Sequence, residues 1–100
     1  MKCYEGIQTA SRPRVTVHDG RRSYPLTHWG IHGTGFEWGY GGSGPADLAY
    51  ALLRDCFQDQ EIAEEWYQTF KWDVVAQWPV DERWSITEDD IREWVKAHCH

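Results

Sequence analysis

The stretch Gly35-Phe36-Glu37-Trp38-Gly39-Tyr40-Gly41-Gly42-Ser43-Gly44-Pro45-Ala46-Asp47-Leu48-Ala49 divides the chain into two kinds of sequence. Its glycine-rich first part cannot be a stable helix, because glycine loses the most backbone freedom on ordering. At Pro45 the character changes. Proline suits the first turn of a helix, Ser43 or Gly44 supplies the N-cap, and Asp47 puts negative charge in the first turn. Leu48, Ala49, Leu52, Leu53 and Cys56 then recur at helical spacing, so the sequence predicts a helix over 45–56 with one core face.

Upstream, residues 1–38 read as β-rich. Arg14-Val15-Thr16-Val17-His18 alternates in type, and Asp19-Gly20 is a strong hairpin signal, so 21–26 is expected to fold back on 14–18. Residues 4–9 add a third strand, Pro13 starts the next one or sits at an edge, and Phe36-Glu37-Trp38 reads as one more short strand. Downstream, Ile62, Ala63, Trp66, Phe70 and Val74 make the apolar stripe of a second helix over 60–77, with a break near Lys71 and Pro79 ending the run. Trp84-Ser85-Ile86 is extended, and Thr87 with Asp90 three residues on forms a capping box for a last helix carrying Ile91, Trp94 and Val95. The expected fold class is α+β: a small, mainly antiparallel N-terminal sheet packed against about three C-terminal helices in one domain over 1–100. Its core is expected to include Val15, Phe36, Leu48, Leu52, Ile62, Trp66, Phe70, Val74, Ile91 and Trp94.

The 100 residues carry a formal charge of -6, and that charge is segregated. Residues 1–46 hold five basic and three acidic side chains, whereas 47–100 hold five and thirteen. An acidic helical half argues against nucleic-acid binding driven by phosphate neutralisation. No run approaches the roughly 18 apolar residues of a membrane helix, and residues 1–5 lead into no signal-peptide apolar region, so a cytoplasmic protein without membrane contact is expected. Cys3, Cys56 and Cys99 are odd in number and lack framework spacing, which fits free thiols.

The glycine-rich stretch from Gly35 to Ala49 resembles the signature segment of a family of small proteins of unknown function found in phages, plasmids, bacteria and archaea. The likeness extends to Tyr4-x-Gly6, to Phe70-Lys71, and to Trp84-x-Ile86 followed by a helix with Trp94. It implies a small α+β domain, often in mobile elements, and carries no established activity. Residues 8–11 and 27–34 follow the pattern least, so a site built there would be particular to this chain.

Four features bear on chemistry. Gly39-Tyr40-Gly41-Gly42-Ser43-Gly44 spells G-x-G-x-x-G with Asp59 about twenty residues beyond its start, yet a second parallel βαβ unit is lacking and Asp59 falls between helices. What survives is an array of backbone N–H groups at a helix N-terminus, suited to phosphate, beside Trp38 and Tyr40 as stacking groups. Arg12, Arg14, Arg21 and Arg22 concentrate on the first hairpin and can pair with phosphate or carboxylate. Trp29 lies in a glycine-bounded loop and Trp72 off the stripe of the second helix, which makes both candidates for an exposed contact surface. His98-Cys99-His100 and the pair His28/His32 hold ligand atoms without the spacing of a metal site, so no metal and no cofactor are expected. Glu37, Asp47 and the histidines show no catalytic spacing, so a non-enzyme is expected.

The sequence supports two functional expectations. The first is a non-enzymatic binding or inhibitory accessory protein of a phage or mobile element, blocking a host protein, for instance a defence component. Its contact surface would be Trp29, Trp72 and the acidic groups Glu61, Glu64, Glu65, Glu88, Asp89 and Asp90. The second is a binder or sponge for a nucleotide or other phosphorylated small molecule, held by the glycine loop and the hairpin arginines.

Overall fold

A computed structural model describes residues 1–33 and 35–98. Strands β1 (Lys2–Ile7), β2 (Arg14–Asp19), β3 (Arg22–Pro25) and β4 (Trp84–Thr87) form one antiparallel sheet in the order β3-β2-β1-β4. Helices α1 (Ser43–Phe57), α2 (Gln60–Asp73) and α3 (Glu88–His98) complete the α+β architecture, and Val75–Gln77 make one 3₁₀ turn. Val15 and Val17 point into the core from β2 while Arg14 and Thr16 alternate outward, which is the period-2 pattern that selects a half-buried strand. In the β2–β3 hairpin Asp19 pairs with Arg22, so the turn residues are Gly20 and Arg21, and Gly20 takes the left-handed φ of 65°.

The central helix α1 is buried around most of its circumference. Leu48, Ala49, Ala51, Leu52 and Leu53 are all fully covered, and together with Tyr4, Val17, Phe70, Val75 and Ile91 they make one continuous core. Of the expected core, Val15, Leu48, Leu52, Phe70 and Ile91 are buried, Phe36, Trp66, Val74 and Trp94 are half-buried on its margin, and Ile62 is half-buried.

Three local expectations are corrected. Residues 36–38 form no strand: Trp38 turns inward to meet Trp84 edge-on at 5.7 Å, its Nε1 donates to Glu82 O at 3.0 Å, and these contacts replace strand pairing. The second helical run is not continuous to 77: the break expected near Lys71 falls after Asp73, where Val75 is buried and its carbonyl accepts from Gly39 N at 3.1 Å, and Val75–Gln77 follow as the 3₁₀ turn. The N-cap of α1 is Gly42, without a side-chain hydrogen bond, and Asp47 lies beyond the first turn with its carboxylate engaged elsewhere. The expected capping box of α3 is present: Asp90 N donates to Thr87 Oγ1 at 3.1 Å, and Thr87 N donates to Asp90 Oδ2 at 3.3 Å.

Candidate functional site

The best-built polar group in the molecule is the carboxylate of Asp47, whose side chain is 0% exposed. A buried carboxylate is costly unless hydrogen-bonded, and this one accepts three bonds. They come from His32 N at 2.8 Å, Gly33 N at 2.9 Å and His28 Nε2 at 2.7 Å. Asp47 thereby fastens the irregular segment after β3 to α1. Because a carboxylate can only accept, Nε2 of His28 carries the ring proton, and Nδ1 is left without a hydrogen-bond partner among the described residues. The imidazole also meets the Phe36 ring edge-on at 5.1 Å.

His28 lines a cavity of about 330 Å³ whose other walls are Thr9, Arg12, Arg14, Pro25 and Phe36, among others. No acidic side chain lines it among the described residues. Among those residues neither the Arg12 nor the Arg14 guanidinium has a hydrogen-bond or ion-pair partner, in contrast to Arg54, Arg83 and Arg92, which have theirs. Arg12, Arg14 and His28, all exposed residues, therefore line one hollow in a chain of net charge -6. The joint His28–Asp47 arrangement has no short sequence signal, since the two residues are nineteen apart and only the segment between them brings them together.

The remaining sequence candidates are distributed elsewhere. Arg21 and Arg22 sit at the far, turn end of the hairpin, away from this cavity's lining. The glycine segment is filled by its own neighbours: side-chain space at Gly41 is taken by the Trp72 ring, at Gly42 by the Tyr40 ring and at Gly44 by Glu37. Lys71, buried, reaches Gly41 O at 3.4 Å under the Trp72 ring. None of Gly39–Gly44 lines the cavity that holds Arg12 and Arg14, and Trp38 lies in the core. Asp59 is the N-cap of α2, accepting from Glu61 N and Ile62 N, which is the use its position commands.

Trp29 and Trp72 are 46% and 56% exposed. Trp29 stacks on the Arg54 guanidinium at 4.0 Å beside a second, smaller cavity of about 220 Å³ that also touches Asp55. Glu61, Glu64 and Glu65 face solvent on α2. Of the three acids at the start of α3, Glu88 accepts from Lys2 N and pairs with Arg92, and Asp90 caps its own helix, so only Asp89 is spare among the described residues. No helix is long and apolar enough to cross a membrane among the described residues. His98 bonds Trp94 O and Asp73, while Cys99 and His100 lie outside the described residues.

Fold and site together define a small α+β domain with a basic hollow at the edge of its sheet. The chain belongs to a family of unknown function, DUF6166, which it matches over residues 4–97. No curated protein and no solved structure matches it.

Proposed function

We propose that the protein binds a small phosphate-bearing molecule, a nucleotide or phosphorylated metabolite, in the cavity of Arg12, Arg14 and His28. The observation that carries this reading is that two arginines without anionic partners among the described residues line the same hollow as an imidazole held by buried Asp47. Guanidinium forks match phosphate oxygens, and a concave site focuses the field of its cations. Compared with the sequence expectation, Arg12 and Arg14 are retained, Arg21 and Arg22 drop out, and the glycine loop is replaced by His28. Thermal shift with linear and cyclic nucleotides and with pyrophosphate tests it. A ligand at 100 times its dissociation constant adds about 2.7 kcal/mol, roughly 10 °C or more for a domain of this size. Arg12→Ala with Arg14→Ala should abolish the shift and Arg21→Ala with Arg22→Ala should keep it. No shift with any of these probes counts against the reading.

A second reading is favoured by α2. Glu61, Glu65, Gln68 and Trp72 follow one another at spacings of four, three and four, so they share one solvent face, with Glu64 beside them. Such a stripe suits docking on a basic surface of a host protein, as expected of an accessory protein of a phage or mobile element. Reversing Glu61, Glu64 and Glu65 to Lys should then abolish salt-sensitive capture of that host protein. Capture unchanged by the reversal would exclude this face.

A further inference from the structure

The cavity of Arg12, Arg14 and His28 holds more than binding groups, and a catalytic role for it rests on the ligand reading. An imidazole with one nitrogen donated to a carboxylate and the other unpartnered is a directed proton acceptor. His28 meets that description: Nε2 is 2.7 Å from Asp47 Oδ2, the side chain is 28% exposed, and Nδ1 has no partner among the described residues. Arg12 and Arg14 stay charged and only donate, so they stabilise negative charge that builds up on a phosphoryl group. Among the described residues no acidic side chain lines the cavity, and the Thr9 hydroxyl on its wall is engaged with Arg12 O, so His28 supplies the base. A base can activate a bound water or a substrate hydroxyl, and a ribose 2′-hydroxyl is already held beside its phosphorus.

We propose that this cavity cleaves short ribonucleotide phosphodiesters by transesterification, with His28 as general base. Nδ1 takes the proton of the 2′-hydroxyl, the 2′-oxygen forms a bond to phosphorus, and the phosphorus bond to the 5′-oxygen breaks. The imidazolium then returns the proton to the departing 5′-oxygen. The products are a 2′,3′-cyclic phosphate and a 5′-hydroxyl, the isomeric sum of the substrate, so no water, oxidant or co-reactant enters. Asp47 is a positioning residue, holding the ring through Nε2. Phe36, on the same wall, offers an apolar face to a base. A hollow of about 330 Å³ takes roughly one nucleotide, and a net charge of -6 repels a long polyanion, so a dinucleotide is favoured over structured or long RNA.

The experiment uses the full chain with UpA and CpA, their deoxyribose counterparts, and a nucleoside 3′-monophosphate as a non-cleavable probe of binding. Cleavage of the ribose substrates alone, with a 2′,3′-cyclic product seen by ³¹P NMR, is expected. His28→Gln keeps a donor for Asp47 but removes the base. It should slow cleavage by roughly 100-fold or more, well beyond whatever affinity for the 3′-monophosphate it loses. Circular dichroism checks that it folds. Binding of the monophosphate without cleavage, or equal cleavage by the parent and His28→Gln, overturns the catalytic proposal and leaves the ligand reading standing. Failure to bind the monophosphate as well rejects both for nucleotides.

Discussion

The indole of Trp84 occupies the space in which Gly6 would carry a side chain: a Cβ on Gly6 would stand 2.3 Å from Trp84 Nε1. The two residues are opposite one another in the β1–β4 pair, and Trp84 in turn stacks on Trp78 at 4.3 Å and meets Trp38 edge-on. An added methyl must therefore push a ring that is held on its other faces. Gly6→Ala should cost about 1–3 kcal/mol, the usual range for overpacking. It is read from the urea midpoint at constant m-value. A midpoint equal to that of the parent would mean that Trp84 can leave its place freely.

Gly39 and Gly20 both have positive φ, and they should respond very differently to alanine. At Gly39, φ is 89° and a Cβ would stand 2.7 Å from Val80 Cα and 2.9 Å from Trp78 O, which are backbone atoms that cannot rotate away. Gly20 has a φ of 65° and open space around it. Gly20→Ala should thus cost only the left-handed penalty of about 1–2 kcal/mol, and Gly39→Ala should cost clearly more. Thermal unfolding of the two variants side by side decides it, and equal losses would remove the packing argument.

Asp55 on α1 gathers three donors from the sheet: Lys2 Nζ at 3.1 Å, the Tyr4 hydroxyl at 2.7 Å and the Tyr24 hydroxyl at 2.9 Å. Burial and then the Asp55 hydrogen bond and charge hold the Tyr4 hydroxyl well above its ordinary value of 10.0, and Tyr24 is raised for the same reasons. For Lys2, burial pulls down, but the bond and charge of Asp55 outweigh it and raise the ammonium. In all three the fold favours the protonated form, so their stabilisation is complete below about pH 10 and is lost as pH rises through the folded values. The urea midpoint should fall from pH 9 to pH 11. Tyr4→Phe should cost about 1 kcal/mol at pH 7 and make that fall shallower. A midpoint that rises with alkali would contradict the assignment.

The strands β2 and β4, the helix α1 and the α3 cap were legible because each is set by local information: alternation at Val15 and Val17, apolar spacing from Leu48, the Thr87–Asp90 box. What escaped was set by distant contacts. Residues 36–38 have strand-like composition, yet Trp38 packs edge-on against Trp84 and joins no ladder, and the exact end of α2 is set where Val75 meets Gly39. The site divided in the same way. Arg12 and Arg14 stood out by charge alone, whereas His28, which lines the same cavity, is held by a carboxylate nineteen residues on. The glycine loop carried a familiar pattern whose physical use here is to admit Trp72 and Tyr40 against the backbone.

Cys56 is buried on α1, where loss of solvent pushes its thiol up to about 11, and Cys3 is half-buried on β1. Thiolate is the reactive form, so the two should differ in rate toward iodoacetamide at pH 8. Peptide mapping is expected to find Cys3 alkylated in the folded protein and Cys56 only in urea. Equal labelling of both without denaturant would show that α1 opens far more readily than its packing allows.

Asp47 should be indispensable to the segment it anchors rather than to the whole fold alone. In Asp47→Asn the amide nitrogen cannot accept, so one of the groups now satisfied by the buried carboxylate, the His32 or Gly33 N–H or His28 Nε2, loses its partner. Each part-buried donor so orphaned costs about 1 kcal/mol or more. The loss is local first, because this segment has no sheet pairing of its own and α1 remains held by its apolar faces. Hydrogen exchange should therefore speed up at the His32 and Gly33 amides by roughly tenfold or more, since each 1.4 kcal/mol is a factor of ten, while amides in the middle of α1 change only with global stability. Unchanged protection at His32 and Gly33 in a folded Asp47→Asn would mean that the carboxylate is not what holds the segment and, with it, the ring of His28.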